Sequence, residues 1–336
     1  LLDSDNEYAY RLKKNVNIVQ LTFNSSFAKS LVSMYAFPAK VLKKLSVNSF
    51  IAYYDFISNC VTNVFEKTYD IAIDFYGYGS FVTAFLATKI QAKKKATWLH
   101  DEKPYWMKSV QKYLCEYDKI YGVSQAVVDA FCREYPHYKD KAAVFYNVID
   151  IEEIKRKSEQ DEIIPFKESF NIVTVGRLTE QKGYDIAIKA ASILKKRKIN
   201  FAWYAIGGGR DEKKLKKLVE KYCLENQFVF LGRKKNPYPY MKHCDLYVQP
   251  SRHEGYVITL VEARALCLPI LSSDIPSARE QIQDGINGYV AELSAEDLAD
   301  KIEYLYNNPS QRKKTVEYLK EHPIDFSTEL LKLEII

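Results

Sequence analysis

The sequence predicts an α/β protein of two parallel-sheet domains, and three observations carry that expectation. Short apolar segments rich in β-branched and aromatic residues alternate with segments of helical spacing. That alternation runs twice, with a charged break between the runs. A length of 336 residues is about two domains on ordinary domain sizes.

The first run offers strands at Asn15–Phe23 (NVNIVQLTF), Tyr69–Phe75 (YDIAIDF), Ala96–His100 (ATWLH), Asp118–Val123 (DKIYGV) and Ala142–Val148 (AAVFYNV). Helices are expected from Ser80 and from Ser124, the latter serine reading as a helix cap rather than a nucleophile. The chain opens Leu1-Leu2-Asp3 without methionine, and its amino end is expected to be missing. From Ile154 to Lys167 charge rises, Pro165 interrupts and periodicity lapses, which reads as an interdomain linker. The second run offers strands at Phe170–Val175, Asn200–Ile206, Gln227–Gly232, Cys244–Gln249 and Pro269–Ser273, with helices from Tyr184, from Asp211 and over Tyr256–Cys267. Such apolar strands joined by helices belong to parallel sheets covered on both faces, so the chain resembles two Rossmann-like domains. Beyond Ile286 it is expected to turn helical, from Ser294 to Asn307 and again from Ser310. The expected domains are 1–150, 151–322 and a terminal segment, 323–336.

Composition removes several classes. Hydrophobic residues make up 47% and charged residues 27%, the balance of a folded globular protein. No apolar run reaches the roughly 20 residues that span a bilayer, and the amino end lacks a signal-peptide layout, so the expected compartment is the cytoplasm. The six cysteines form no CxxC pair and read as reduced thiols. Residues 1–150 hold 19 basic and 15 acidic side chains, so they carry +4 of the net +6. Lysines mixed with apolar residues at Ala39–Leu45 and Lys89–Trp98 are compatible with peripheral docking on an anionic membrane, and equally with a solvated face. Nothing resembles a nucleic-acid-binding module. The 26 tyrosines include rings suited to sugar stacking, although most belong to cores.

Chemistry concentrates in the second run. EGYVITLVE places Glu254 in the loop after one strand and Glu262 within the first two turns of the next helix. Open α/β sheets bind ligands at the carboxyl ends of their strands, and a helix start there favours an anion. Carboxylates beside such a start suit hydroxyl donors, with sugars the obvious source. A capping glutamate and a solvated one remain the plainer reading of the pair taken alone. VGRLTEQKG carries Arg177 and Lys182 after a strand ending at Gly176, a candidate diphosphate clamp or a solvated basic loop. IGGGRDEKKL, with Gly208, lets backbone approach a ligand closely but lacks the spacing of a dinucleotide fingerprint. FLGRKKNPYPY, with Arg233, is a strand end and loop that could meet a base edge, or an ordinary turn.

Across Val175–Gly288 these five loops, with DLYVQPSRHEGYVITLVEA and QDGINGYV, resemble the donor domain of retaining GT-B glycosyltransferases of family 4. The resemblance implies two Rossmann-like domains facing across a cleft, with a terminal helix returning to the first. It implies that Arg177 and Lys182 bind the donor diphosphate, that Glu262 takes the ribose hydroxyls and that Glu254 takes the sugar hydroxyls. Gly255, Tyr256, Val257 and Ile258 would lie near sugar and phosphate, and Gly176, Gly208 and Arg233 would complete the donor site. His100, ending TWLH, would face the donor sugar. Family members often have glycine where this chain has Val257 and Cys267, and a valine in that turn is expected to reshape the sugar pocket. The family's first βα unit, with its glycine-rich loop, is not found before Asn15.

A sugar nucleotide already carries a good leaving group, so no glycosidase-like acid is needed. The implied route is a same-face transfer in which the leaving phosphate accepts the acceptor's proton. No metal or other cofactor is implied; the only DxD string, Asp3-Ser4-Asp5, does not follow an apolar strand. The expected activity is transfer of a hexose from a nucleotide diphosphate sugar, a UDP-sugar, to a glycan or lipid-linked acceptor in cell-surface polysaccharide synthesis. The alternative is a catalytically silent homologue that binds nucleotide or scaffolds a partner transferase; a sugar-nucleotide epimerase fits the motifs less well.

Overall fold

The computed structural model describes residues 21–26, 29–30, 48–61, 65, 67–77, 79–161 and 166–332. They fall into two compact units, one reaching Gly122 and including Val127–Val144, the other comprising Val123–Ala126 and everything from Phe145 to the end of the described residues. The strand expected at Asn15–Phe23 lies mostly outside the described residues, as do Asp3-Ser4-Asp5 and the basic segment Ala39–Leu45; Phe23 makes a single antiparallel bridge to Val61.

The first unit holds a four-stranded parallel sheet, β1 (Tyr69–Asp74), β2 (Ala92–Leu99), β3 (Lys119–Gly122) and β4 (Ala142–Val144), in sequential order. Ser80 caps the helix Phe81–Lys89 by accepting from the Val82 amide, and the helix buries Thr83 to Ala87, its Phe85 packing with Ile57 and Val61. Of the lysines of Lys89–Trp98, Lys89 ends that helix and Lys93, Lys94 and Lys95 lie on β2. Lys93 pairs with Asp70, Lys94 with Asp118, and the Lys95 ammonium donates to the Ala87 carbonyl.

In the second unit six parallel strands run in the order β7 (Phe228–Gly232), β6 (Phe201–Ile206), β5 (Phe170–Val175), β8 (Leu246–Gln249), β9 (Ile270–Ser273), β10 (Tyr289–Ala291). Successive residues of β5 serve opposite cores: Phe170 and Ile172 pack with helices Tyr184–Lys196 and Ala295–Asn307, Val173 with Tyr238–Lys242 and Ile258–Ala265. Burial on both faces is why the strand reads as a continuous apolar run. From β5 the chain winds outward to β7, then returns to the other side of β5 for β8. The crevice at the carboxyl ends of β5 and β8 is therefore the topological switch point, where doubly wound sheets take their ligands.

Two sequence expectations need correction. The stretch read as a linker begins as the helix Ile151–Ser158, capped by Asp150 and with acidic residues in its first turn and basic ones in its last. The chain does not turn wholly helical beyond Ile286, because β10 precedes the helix Ala295–Asn307. The short helix Ser327–Leu331 groups with the second unit, its buried Glu329 accepting from the Tyr146 amide at 3.0 Å. All six cysteines are free thiols, and Cys115 and Cys223 are exposed.

Candidate nucleotide-sugar site

Two loops meet at the switch point. The loop after β5 passes through Gly176 and Arg177 to a single turn, Glu180–Lys182, and reverses at Gly183 in the left-handed region, where a Cβ would stand 1.8 Å from the Pro250 carbonyl oxygen. Only glycine permits that approach of the two backbones. The loop after β8 is stitched to it from the other side: the Arg252 amide donates to Gln181 O at 2.8 Å, Gln181 Nε2 to His253 O at 3.0 Å, and the Arg252 guanidinium grips Asp185 with two bonds of 2.7 Å. A bidentate arginine fork fixes geometry as well as charge.

These anchors bring Lys182 against Glu254, Nζ to Oε1 2.5 Å, with side chains only 15% and 8% exposed. The lysine stem crosses Gly176, where a Cβ would lie 3.5 Å from Lys182 Cδ. Glu254 Oε1 also accepts from Ser251 Oγ at 2.7 Å. Behind Ser251 runs a buried polar chain: Gln249 Nε2 donates to Ser251, and Gln249 Oε1 accepts from Tyr247 and Thr259. Ser277 holds the Glu254 carbonyl at 2.9 Å. Breaking a buried ion pair is costly, and here the Ser251 hydroxyl and the chain behind it brace the Glu254 oxygen that meets the lysine.

Beside the pair lies a depression of about 370 Å³ lined by Gly176, Arg177, Gly207, Gly208, Arg233 and Lys234 among others. Gly207 has φ +149°, and a Cβ there would sit 1.9 Å from Gly176 O, so the floor is bare backbone. Arg233 lies across Gly208, and Arg177 and Arg233 are exposed at the rim.

Glu262 falls in the second turn of the helix Ile258–Ala265, shorter at each end than the expected Tyr256–Cys267, and accepts from the Tyr238 hydroxyl at 2.9 Å. Burial pushes its carboxyl above the ordinary value, against the Tyr238 bond and the Lys157 charge, which lower it. Burial and the Glu262 charge together push the Tyr238 phenol up, so the tyrosine remains a donor. Gly255 is buried, the Tyr256 ring packs on Tyr146 at 5.6 Å, and Ile258 is exposed. Val257 is a correction: at 1% exposure its side chain fills the core with Leu260 and Ala263 instead of facing a sugar. His100 belongs to the first unit, where it directly follows β2 with Nε2 2.6 Å from the Phe75 carbonyl oxygen. Ser251 and Tyr238 escaped the sequence reading; nothing in a lone serine or tyrosine marks it as the partner of a particular carboxylate.

A match to the family model "Glycosyl transferases group 1" covers residues 155–322, half of the sequence. The chain belongs to that family. Among curated relatives, an uncharacterized glycosyltransferase of Methanocaldococcus jannaschii is 33% identical over 50% of this chain and 40% of its own length. A Campylobacter jejuni N-acetylgalactosamine-N,N'-diacetylbacillosaminyl-diphospho-undecaprenol 4-alpha-N-acetylgalactosaminyltransferase is 30% identical over 52% of this chain and 49% of its own. The matches thus span about half the length of such relatives. Solved structures share the fold: Anabaena HepE in complex with UDP (TM-score 0.66, 17% identity, 88% of this chain and 83% of that one) and S. aureus TarM (TM-score 0.67, 21% identity, 79% and 54%). The two parallel sheets are those of the GT-B glycosyltransferases.

Proposed function

We propose that this protein is a retaining, metal-independent hexosyltransferase of family 4 that moves a sugar from a UDP-sugar to a glycan or lipid-linked acceptor. The Lys182–Glu254 pair at the switch point carries the reading: a cation for the diphosphate and a carboxylate for sugar hydroxyls, held together at the carboxyl ends of β5 and β8. HepE, of like fold, is described with UDP-glucose, and the name of the Campylobacter relative specifies a diphospho-undecaprenol-linked acceptor; both support the donor and acceptor classes.

In the mechanism, Arg177 and Lys182 stabilise the charge that develops on the diphosphate as the anomeric C–O bond breaks. Glu254 orients the sugar through its hydroxyls and Glu262 the ribose. The acceptor oxygen bonds to the anomeric carbon on the face the phosphate leaves, and its proton passes to the departing phosphate oxygen. His100 assists transfer. The burial of the Val257 side chain in the core weakens one support of the silent-homologue alternative.

Hydrolysis of UDP-glucose, UDP-galactose, their N-acetylated counterparts and GDP-mannose is the deciding measurement. Slow release of UDP from at least one donor is expected. UDP binding without turnover of any donor would favour the silent homologue.

A further inference from the structure

Both glutamates share an asymmetry. Every hydrogen bond that Glu254 accepts through its carboxylate falls on Oε1, from Lys182 and Ser251, and Glu262 receives the Tyr238 hydroxyl on Oε1 alone. For Glu254 the donors come from the two loops already assigned to the site. For Glu262 the donor comes from elsewhere: Tyr238 opens the short helix Tyr238–Lys242 that directly follows the Arg233–Pro237 loop, and Pro237 lines the depression beside Gly208.

That loop is itself held. Asn236 Nδ2 donates to the Lys157 carbonyl at 2.8 Å and to Gln160 Oε1 at 2.9 Å, while its Oδ1 accepts from the Tyr238 amide at 3.3 Å. One segment therefore ends the base side of the depression and, one residue later, grips the carboxylate proposed to read the ribose. A buried carboxylate with one oxygen fixed by a neutral donor keeps its plane and has a defined second oxygen for a ligand.

The geometry points to Tyr238 as the positioning residue that makes this site specific for a ribose diol: it fixes Glu262 through Oε1, so that the other oxygen receives the 2′- and 3′-hydroxyls, and it ties that carboxylate to the loop flanking the base. The inference rests on the reading of Glu262 as the ribose acceptor. Because the phenol touches the carboxylate and not the hydroxyls, its loss acts only on ligands that possess them.

The test is calorimetric binding of UDP and of 2′,3′-dideoxy-UDP to the full chain, to Tyr238→Phe and to Glu262→Ala. The wild type is expected to prefer UDP, and Glu262→Ala to bind both nucleotides alike. Tyr238→Phe removes one oxygen and keeps the ring. It should lose about tenfold in UDP affinity, the worth of one hydrogen bond to a charged group, with the dideoxy affinity within about twofold of wild type. Equal losses for both nucleotides would make Tyr238 merely structural and overturn the inference. So would a wild-type preference in Tyr238→Phe while Glu262→Ala has lost it. If Glu262→Ala itself keeps the preference, the ribose reading of Glu262 falls, and the inference with it.

Discussion

Asp74 and Glu254 stand at comparable places in the two units, each a buried carboxylate at or just past the carboxyl end of a parallel strand, with 1% and 7% exposure. They are used differently. Asp74 spends both oxygens on its own unit: Oδ1 accepts from the Gly77 amide at 3.1 Å, and Oδ2 from Thr83 at 2.6 Å and Thr97 at 3.1 Å. Its donors are neutral, and what it holds is the turn leading into the helix Phe81–Lys89. Glu254 gathers a cation and a hydroxyl on one oxygen. Burial and strand-end position are thus common to both carboxylates, and what sets Glu254 apart is that its donors leave its second oxygen to a ligand of the kind proposed above.

The largest effects should come from breaking each arrangement. Lys182→Ala leaves the Glu254 charge buried without its cation, which costs about 3–5 kcal/mol of stability and removes most UDP affinity. Asp74→Ala strands two hydroxyls and an amide, at roughly 2–4 kcal/mol, and leaves UDP affinity of the folded protein at the wild-type value. Urea unfolding with UDP titration on the same samples checks both. Equal damage to nucleotide binding in the two variants would erase the distinction.

The contrast also shows what the sequence could disclose. The strand ends, the loops and the glycines Gly176 and Gly208 are legible because each belongs to a local pattern of apolar run, turn and helix start. The partnership of Lys182 with Glu254 was not, since they lie 72 residues apart and meet only because β8 pairs with β5 rather than with β7. Tyr238 and Glu262 are 24 apart and meet through two short helices on one face of the sheet. The helix Ile151–Ser158, whose second half falls in the segment that reads as a linker, buries only Ile154 and Ser158 of its eight residues, too few to write a periodic stripe.

A smaller effect concerns acid. Since burial raises the Glu262 carboxyl above its ordinary value, the group gains its proton at a higher pH than a solvated glutamate, and a protonated carboxyl is the poorer acceptor for ribose hydroxyls. UDP affinity should therefore fall as pH drops from 7.5 towards 5. Glu262→Gln, weaker throughout, should show a shallower fall. A profile equally steep in both would assign the acid sensitivity to another group, such as the diphosphate itself.

The smallest effects separate Val257 and Cys267, the two positions at which the family resemblance led to an expectation of glycine. Val257 has φ −85° and a side chain enclosed by the core, so Val257→Gly gives up packing and gains backbone freedom in the unfolded chain, a loss of roughly 2–3 kcal/mol. Cys267 is the reverse case. It follows the helix Ile258–Ala265 with φ +53°, its amide bonding to Arg264 O and that of Leu268 to Ala263 O, the left-handed closure that glycine adopts without strain. Relief of the Cβ strain, about 1 kcal/mol, outweighs the added entropy of an unfolded glycine by a few tenths of a kcal/mol. Cys267→Gly should therefore raise the melting temperature by a degree or two at this size, with UDP affinity unchanged. A lower melting temperature would mean that the half-buried thiol contributes more through packing than the left-handed backbone costs.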